Sequence, residues 1–205
     1  MSKKLVLVGG GGHARSLLAA LGDDVEIAGY ADMESRQEME IPYLGTDSDC
    51  MALLDPAEYE VAITIVSGRD CSLGLRRRLI QSYSAFDMPL VIAPTAIVAG
   101  CKIASGAQLM HRSVINVGTQ IGACSIVNTG AIVEHDCSIG SNVFIGPGAV
   151  ICGGVEIGDD CYIGANATVR PGIKICSGAV IGLGAAVVKD ITEPGTYTGI
   201  PACRR

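Results

Sequence analysis

The sequence predicts two domains of different class within 205 residues. Residues 1–90 read as an α/β half-Rossmann unit, and residues 91–205 as an all-β parallel β-helix with a short C-terminal tail. Three observations carry this division. From Val91 to Thr192 the chain runs without interruption in seventeen sixes, each led by Val, Ile or Leu. Ahead of them, an apolar run enters a glycine loop and an apolar-periodic stretch. The composition, with 27 glycines, two phenylalanines and no tryptophan, calls for a core of aliphatic and small side chains in tight layers.

Each six, such as IGACSI, VNTGAI, VEHDCS or IGSNVF, supplies one short strand and one turn. The leading aliphatic is expected to point inward, and the small or β-branched fifth residue to fill the bend. Three sixes close an eighteen-residue coil. Coils stack about 4.8 Å apart, so nearly six of them build a prism of the hexapeptide β-helix kind. Glycine in the second position (Gly122, Gly140, Gly146, Gly158, Gly164, Gly182) is expected to allow tight corners and positive φ. Cys101, Cys137 and Cys161 occupy fifth positions and read as small core filler.

In the first ninety residues, Lys4 to Val8 reads as a buried strand, and Ala14 to Leu21 as an apolar-periodic stretch after Gly9-Gly10-Gly11-Gly12-His13. Val25 to Tyr30 and Val61 to Val66 read as further strands, and Cys71 to Ser84 as a helix whose Arg76, Arg77 and Arg78 form a solvated face. Gly9-x-Gly11-x-x-Ala14, with Asp32 about twenty residues on, fits the dinucleotide fingerprint. A domain this small holds half a dinucleotide, so a nucleoside diphosphate carrying a substituent fits better than NAD. Backbone amides at Gly11 and Gly12 would face phosphate oxygens, and Asp32 would accept from a ribose or base.

Composition excludes several classes. Apolar residues make up 49% and charged residues 18%, too apolar a balance for a disordered chain. A formal net charge of −6 without a basic stripe argues against nucleic-acid binding. No apolar run is long enough for a membrane span or a signal-peptide core, so a cytoplasmic chain is expected. Nine cysteines without a CxxC pair read as thiols. Zinc needs about three convergent ligands; His111 and His135 are not separated by a whole number of coils, and no metal is expected.

The GGGGH loop, Asp32, the triplet Glu134-His135-Asp136 inside the prism and the closing Gly199-Ile200-Pro201-Ala202 together resemble the sialic acid O-acetyltransferase family. In pattern they are most similar to its N-acetyltransferases of nucleotide-linked 4-amino sugars in bacterial glycan synthesis. The resemblance implies a left-handed prism, a homotrimer, and active sites in clefts between neighbouring prisms with acetyl-CoA lying along them. Acyl transfer to an amine needs a base, and histidine titrates near neutral pH. The resemblance makes His135 that base, oriented by Asp136; Glu134 beside it and Asn128, one coil corner earlier, are expected in support. It places His13 beside the sugar or phosphate of the acceptor, so Gly11, Gly12, His13, Asp32 and Ser67 make up the acceptor set.

Spacing by eighteen puts Gly146, Gly164 and Gly182 in one column that acetyl-CoA would approach closely. The resemblance adds contacts around Phe144, Ala165 and Leu183. Phe144 departs from the family, which has a histidine there, and a phenyl ring cannot polarise a thioester by hydrogen bonding. A covalent route through Cys137 is disfavoured by its inward slot, and His111 has no assigned role. The expected activity is acetyl transfer from acetyl-CoA to the amino group of a UDP-, GDP- or dTDP-linked 4-amino sugar. UDP is the nucleotide of first choice, and which nucleotide and sugar are used stays open. The alternatives are O-acetylation of sialic acid or another sugar, a non-enzymatic trimeric scaffold, and a nicotinamide reductase.

Overall fold

The computed structural model describes residues 3–22, 24–67, 71 and 73–205. In the N-terminal domain, β1 (Lys4–Val8), α1 (Gly12–Leu18), β2 (Ile27–Ala31), α2 (Asp47–Leu53), β3 (Tyr59–Ile63) and α3 (Gly74–Ser82) follow one another. The three strands are parallel in the order β2-β1-β3. Because β1 is central, Leu5, Leu7, Val6 and Val8 are all buried, which is why it reads as a continuous apolar run rather than an alternation.

The expected elements are present with shifted ends. The strand expected at Val61 to Val66 is β3, Tyr59–Ile63; the Thr64 amide still donates to the Val8 carbonyl at 2.9 Å, and the chain then leaves the sheet beside the glycine loop. The expected helix from Cys71 is α3, beginning at Gly74, with Ser72 outside the described residues. The helix α2 is an addition to the expected elements, although its signal is present in the sequence. Thr46 and Asp49 form a reciprocal capping box, which satisfies two donors at the helix start.

From Val91 onward, two-residue strands build three parallel walls. The first wall contains Gln108–Leu109, Ile126–Val127, Phe144–Ile145 and Tyr162–Ile163, and is extended at its far end by Thr196–Thr198. The second contains Val114–Ile115, Ile132–Val133 and Val150–Ile151, and the third Gln120–Ile121, Ser138–Ile139 and Glu156–Ile157. Leading aliphatics from Leu109 to Val187 are all buried, as are fifth-position residues from Ala107 to Ile191. Ile97, in the first coil with none stacked beneath it, is 59% exposed.

The glycine expectation needs correction. Positive φ falls on the fourth position: glycine there at Gly118, Gly130, Gly148 and Gly172, and also Asp136, Asn142, Asp160 and Asn166, residue types that tolerate the left-handed region. Second-position glycines serve a different need. A Cβ on Gly122 would lie 2.4 Å from the backbone of Gly140, and one on Gly164 2.5 Å from the nitrogen of Leu183. At Gly122 and Gly164 the backbone of the next coil lies too close for a side chain.

The N-terminal domain sits on the first wall. Leu5, Leu7, Ala14, Leu17 and Leu73 pack with Met110, Ile126 and Phe144 in one core. Arg76 is a second correction. It is 1% exposed rather than solvated, donating to Asn142 Oδ1 at 3.0 Å and to the Ile63 carbonyl at 3.4 Å. Arg77 clasps Asp160, so α3 is fastened to the prism by its basic residues. Burial lowers the Arg76 pKa to about 10.

Candidate active site

Two separate constellations emerge. The first lies at the carboxyl ends of β1 and β3, where the chain runs from β1 to β2 on one side and returns to β3 on the other; such a crevice is where open α/β sheets bind ligands. A cavity of about 400 Å³ is lined by Gly9 to His13, Asp32, Arg36 and Thr64 to Ser67. The buried Thr64 hydroxyl, 2.8 Å from the Val8 carbonyl and 2.7 Å from that of Gly9, ties the β3 exit to the loop. All five residues expected in the acceptor set therefore line one cavity.

The loop glycines divide by purpose. Gly9 has φ +108°, and a Cβ on Gly10 would strike the Tyr30 ring at 2.6 Å. Gly11 and Gly12 have ordinary φ, and nothing lies within 4 Å of where a Cβ would stand on either. The chain's own packing does not require glycine there. Asp32 is more occupied than expected. Its carboxylate accepts from the Gly10 and Met33 amides at 3.0 and 2.7 Å and from Arg36 at 3.1 and 3.3 Å. Burial pushes its pKa up, but Arg36 and the two amides outweigh this and hold it below the usual range. Arg36 was not among the expected site residues; its signal was the i,i+4 spacing from Asp32.

His13 donates from Nε2 to Gln108 Oε1 at 2.7 Å, and Gln108 Nε2 donates to the Ile63 carbonyl at 2.9 Å. With the glutamine amide committed to that carbonyl, its oxygen must accept, which fixes the proton of neutral His13 on Nε2 and leaves Nδ1 as an acceptor. Burial lowers the His13 pKa, with the Gln108 hydrogen bond opposing and Arg76 assisting. Gln108 was also missed. It is the polar residue in an otherwise apolar column of Ile126, Phe144, Tyr162 and Val180.

The second constellation is on the corner between the second and third walls. His135 Nδ1 and Asp136 Oδ2 are 2.9 Å apart, with side chains 58% and 71% exposed. Asp136 takes φ +59° at the fourth position, which turns its carboxylate toward the preceding imidazole. With Nδ1 donating to that carboxylate, neutral His135 keeps a free lone pair on Nε2, which has no hydrogen-bond partner among the described residues. Glu134 accepts from Asn116 Nδ2 at 2.9 Å, stacking on the coil below.

Other expected residues lie elsewhere. Asn128 is on the corner between the first and second walls, and its side chain accepts from the Thr129 amide at 2.7 Å; within one chain it does not join His135. Phe144 is not in an open groove: it is buried under the N-terminal domain, stacked on Tyr162 at 4.9 Å. The column of Gly146, Gly164 and Gly182 is approached by neighbouring backbone and by Thr198 rather than left open. Ala165 and the 81%-exposed Leu183 share the Asn128 corner.

Cys137 is buried, its thiol directed to the Cys152 carbonyl and raised in pKa chiefly by burial, which speaks against a covalent route. All nine cysteines are unpaired. His111 links Thr95 to the Ala19 carbonyl at the end of α1, a tie between domains. Among the described residues no three His, Cys, Asp or Glu side chains gather as metal ligands, and no helix is long and apolar enough to cross a membrane.

Comparison with known families places the PglD N-terminal domain on residues 4–70 and bacterial transferase hexapeptide repeats on 118–153, 136–171 and 154–188. Curated proteins give no match. Among solved structures, the acetyltransferase domain of PglB from Neisseria gonorrhoeae FA1090 is 31% identical over 100% of both chains, with a TM-score of 0.90. The same domain in complex with acetyl coenzyme A superimposes with a TM-score of 0.89. A variant of perosamine N-acetyltransferase from Caulobacter crescentus, in complex with CoA and GDP-perosamine, is 28% identical over 98% of this chain and 96% of its own, with a TM-score of 0.87. WeeI from Acinetobacter baumannii AYE, 22% identical over 100% of both chains, shares the fold with a TM-score of 0.85. With a PglD-type domain on a left-handed hexapeptide prism, the chain belongs to the hexapeptide-repeat sugar acetyltransferases.

Proposed function

We propose that the protein transfers acetyl from acetyl-CoA to the amino group of a nucleotide-linked 4-amino sugar. The observation that carries this reading is the exposed His135–Asp136 pair, whose Nδ1–carboxylate contact leaves Nε2 free to accept a proton. Acetyl-CoA supplies an activated acetyl group as its thioester. Asp136 holds Nδ1–H, so Nε2 takes the proton from the attacking amine as the carbon–nitrogen bond forms. The imidazolium then returns that proton to the departing thiolate as the carbon–sulfur bond breaks. Backbone amides of the cleft would stabilise the developing oxyanion. Apolar Ala165 and exposed Leu183 suit the pantetheine arm; the closed glycine column and buried Phe144 do so less well.

The acceptor's diphosphate would lie at Gly11 and Gly12, where nothing internal fills the space. His13 Nδ1 would accept from a sugar hydroxyl or amine. The GDP-perosamine held by the Caulobacter enzyme supports a nucleotide-linked amino sugar as the acceptor class, with the uridine, guanosine and thymidine diphosphate forms to be compared.

This chemistry also requires more than one copy of the chain. The acceptor cavity is on the side of the first wall, whereas the His135 corner is opposite that wall. The second wall between these regions carries outward Val114, Ile132 and Val150, all half-buried, whereas the third carries Gln120, Ser138 and Glu156. An apolar second wall suits burial between subunits of a homotrimer, which would bring His135 of one copy to the cavity of the next. Release of free CoA should be assayed across UDP-, GDP- and dTDP-linked 4-amino sugars and free sialic acid. Turnover with sialic acid alone would replace N-acetylation by O-acetylation, and silence with every acceptor would favour a scaffold. Mixing Gly11→Val with His135→Ala subunits should restore activity that neither variant has; failure to complement, with mixed trimers demonstrated, would put the whole site in one chain.

A further inference from the structure

The third position of the hexad carries a side chain in sixteen of the seventeen sixes; Gly153 is the exception. It lies eighteen residues after His135, one coil on at the same corner. The repeat itself does not call for glycine there, because the φ of Gly153 is outside the left-handed region. A Cβ on Gly153 would fall 2.6 Å from both Cε1 and Nε2 of His135 and 3.1 Å from Cδ2. The imidazole therefore rests on the bare α-carbon of Gly153, with the proton-accepting nitrogen at the contact. Yielding by the backbone is restricted: the Gly154 amide donates to the His135 carbonyl at 2.9 Å, and the Gly172 amide to the Gly153 carbonyl at 3.0 Å.

We infer that Gly153 is a positioning residue for His135. Its missing side chain is the floor on which the ring lies, and it sets where Nε2 is presented. A methyl group there meets the free end of a side chain rather than main chain, so the ring swings away while the coil holds. This inference rests on His135 being the base. Gly154 is the natural control. It has φ +69° and nothing within 4 Å of its would-be Cβ, so a substitution strains the turn without meeting the ring.

The test is a mutant cycle read alongside structure and stability. Gly153→Ala should lower kcat at least tenfold, leave both KM values within about threefold, and leave the melting temperature near wild type. In its crystal structure the His135 ring should have left residue 153. Gly154→Ala should show the reverse: a lower melting temperature and nearly unchanged kcat. Added to His135→Ala, Gly153→Ala should change the residual rate less than twofold, since no ring remains to displace. Wild-type kcat in Gly153→Ala, a His135 ring still seated over residue 153 in that crystal structure, or a full further loss in the double variant would each overturn the inference. If His135→Ala alone stays active, the base assignment fails and this inference with it, an outcome separate from an inactive His135→Ala beside a fully active Gly153→Ala.

Discussion

His13 and His135 occupy opposite surroundings. His13 is held by a buried glutamine at the seam between domains, its pKa lowered by burial and its proton confined to Nε2. The side chain of His135 stands 58% exposed on a prism corner, with Nδ1 beside a carboxylate. One residue type thus stands in two surroundings that suit it to different roles. A buried neutral imidazole is a fixed hydrogen-bond acceptor; an exposed one backed by a carboxylate can take a proton and give it back.

The steepest loss is expected at the exposed histidine. His135→Ala should lower kcat by about 10² to 10⁴, the usual cost of removing a positioned general base, with the fold intact because the side chain packs on a surface corner. Retention of more than a tenth of wild-type kcat would end its role as base. On the buried side, Gln108→Leu should destabilise the protein by about 1–3 kcal/mol, since the His13 N–H and the Ile63 carbonyl lose their shared partner in a dry site. The acceptor KM should rise and the acetyl-CoA KM should not; a change confined to acetyl-CoA would misplace the cavity.

Smaller effects refine the contrast. Asp136→Asn should cost about tenfold in kcat, the low end for a charge-assisted hydrogen bond in a solvent-exposed pair. Acid stability should report His13. Its lowered pKa means that the unfolded chain binds this proton at higher pH than the folded one, so stability rises with pH in that window. The contribution is present above about pH 6.5, the unfolded histidine value, and is lost as pH falls below it toward the folded pKa. Melts from pH 8 to 5 should therefore drop less steeply for His13→Asn than for wild type; parallel curves would show that His13 does not carry the dependence. Least of all, His111→Ala should remove about 1 kcal/mol of stability through its Ala19 contact and leave kcat unchanged.

What depends on local period was legible in the amino-acid order alone. The seventeen aliphatic-led sixes specify coil length, inward positions and the three walls, because an apolar side chain recurring every six residues has one consistent face to bury. Equally legible were the glycine loop after β1 and the adjacency of His135 and Asp136, whose pairing needs only neighbouring residues and a left-handed turn. Contacts between distant residues came from folding in three dimensions. Gln108 reaches His13 from 95 positions away, and Arg76 reaches Asn142 from 66, because the N-terminal domain docks on the first wall and converts that wall's outer face into core. The same docking buries Phe144. Coil stacking, which the period implies but does not aim, makes Gly146, Gly164 and Gly182 yield space to backbone and Gly153 yield it to His135. A hexad pattern says which residues face inward; only the stacked coils say what each outward residue meets.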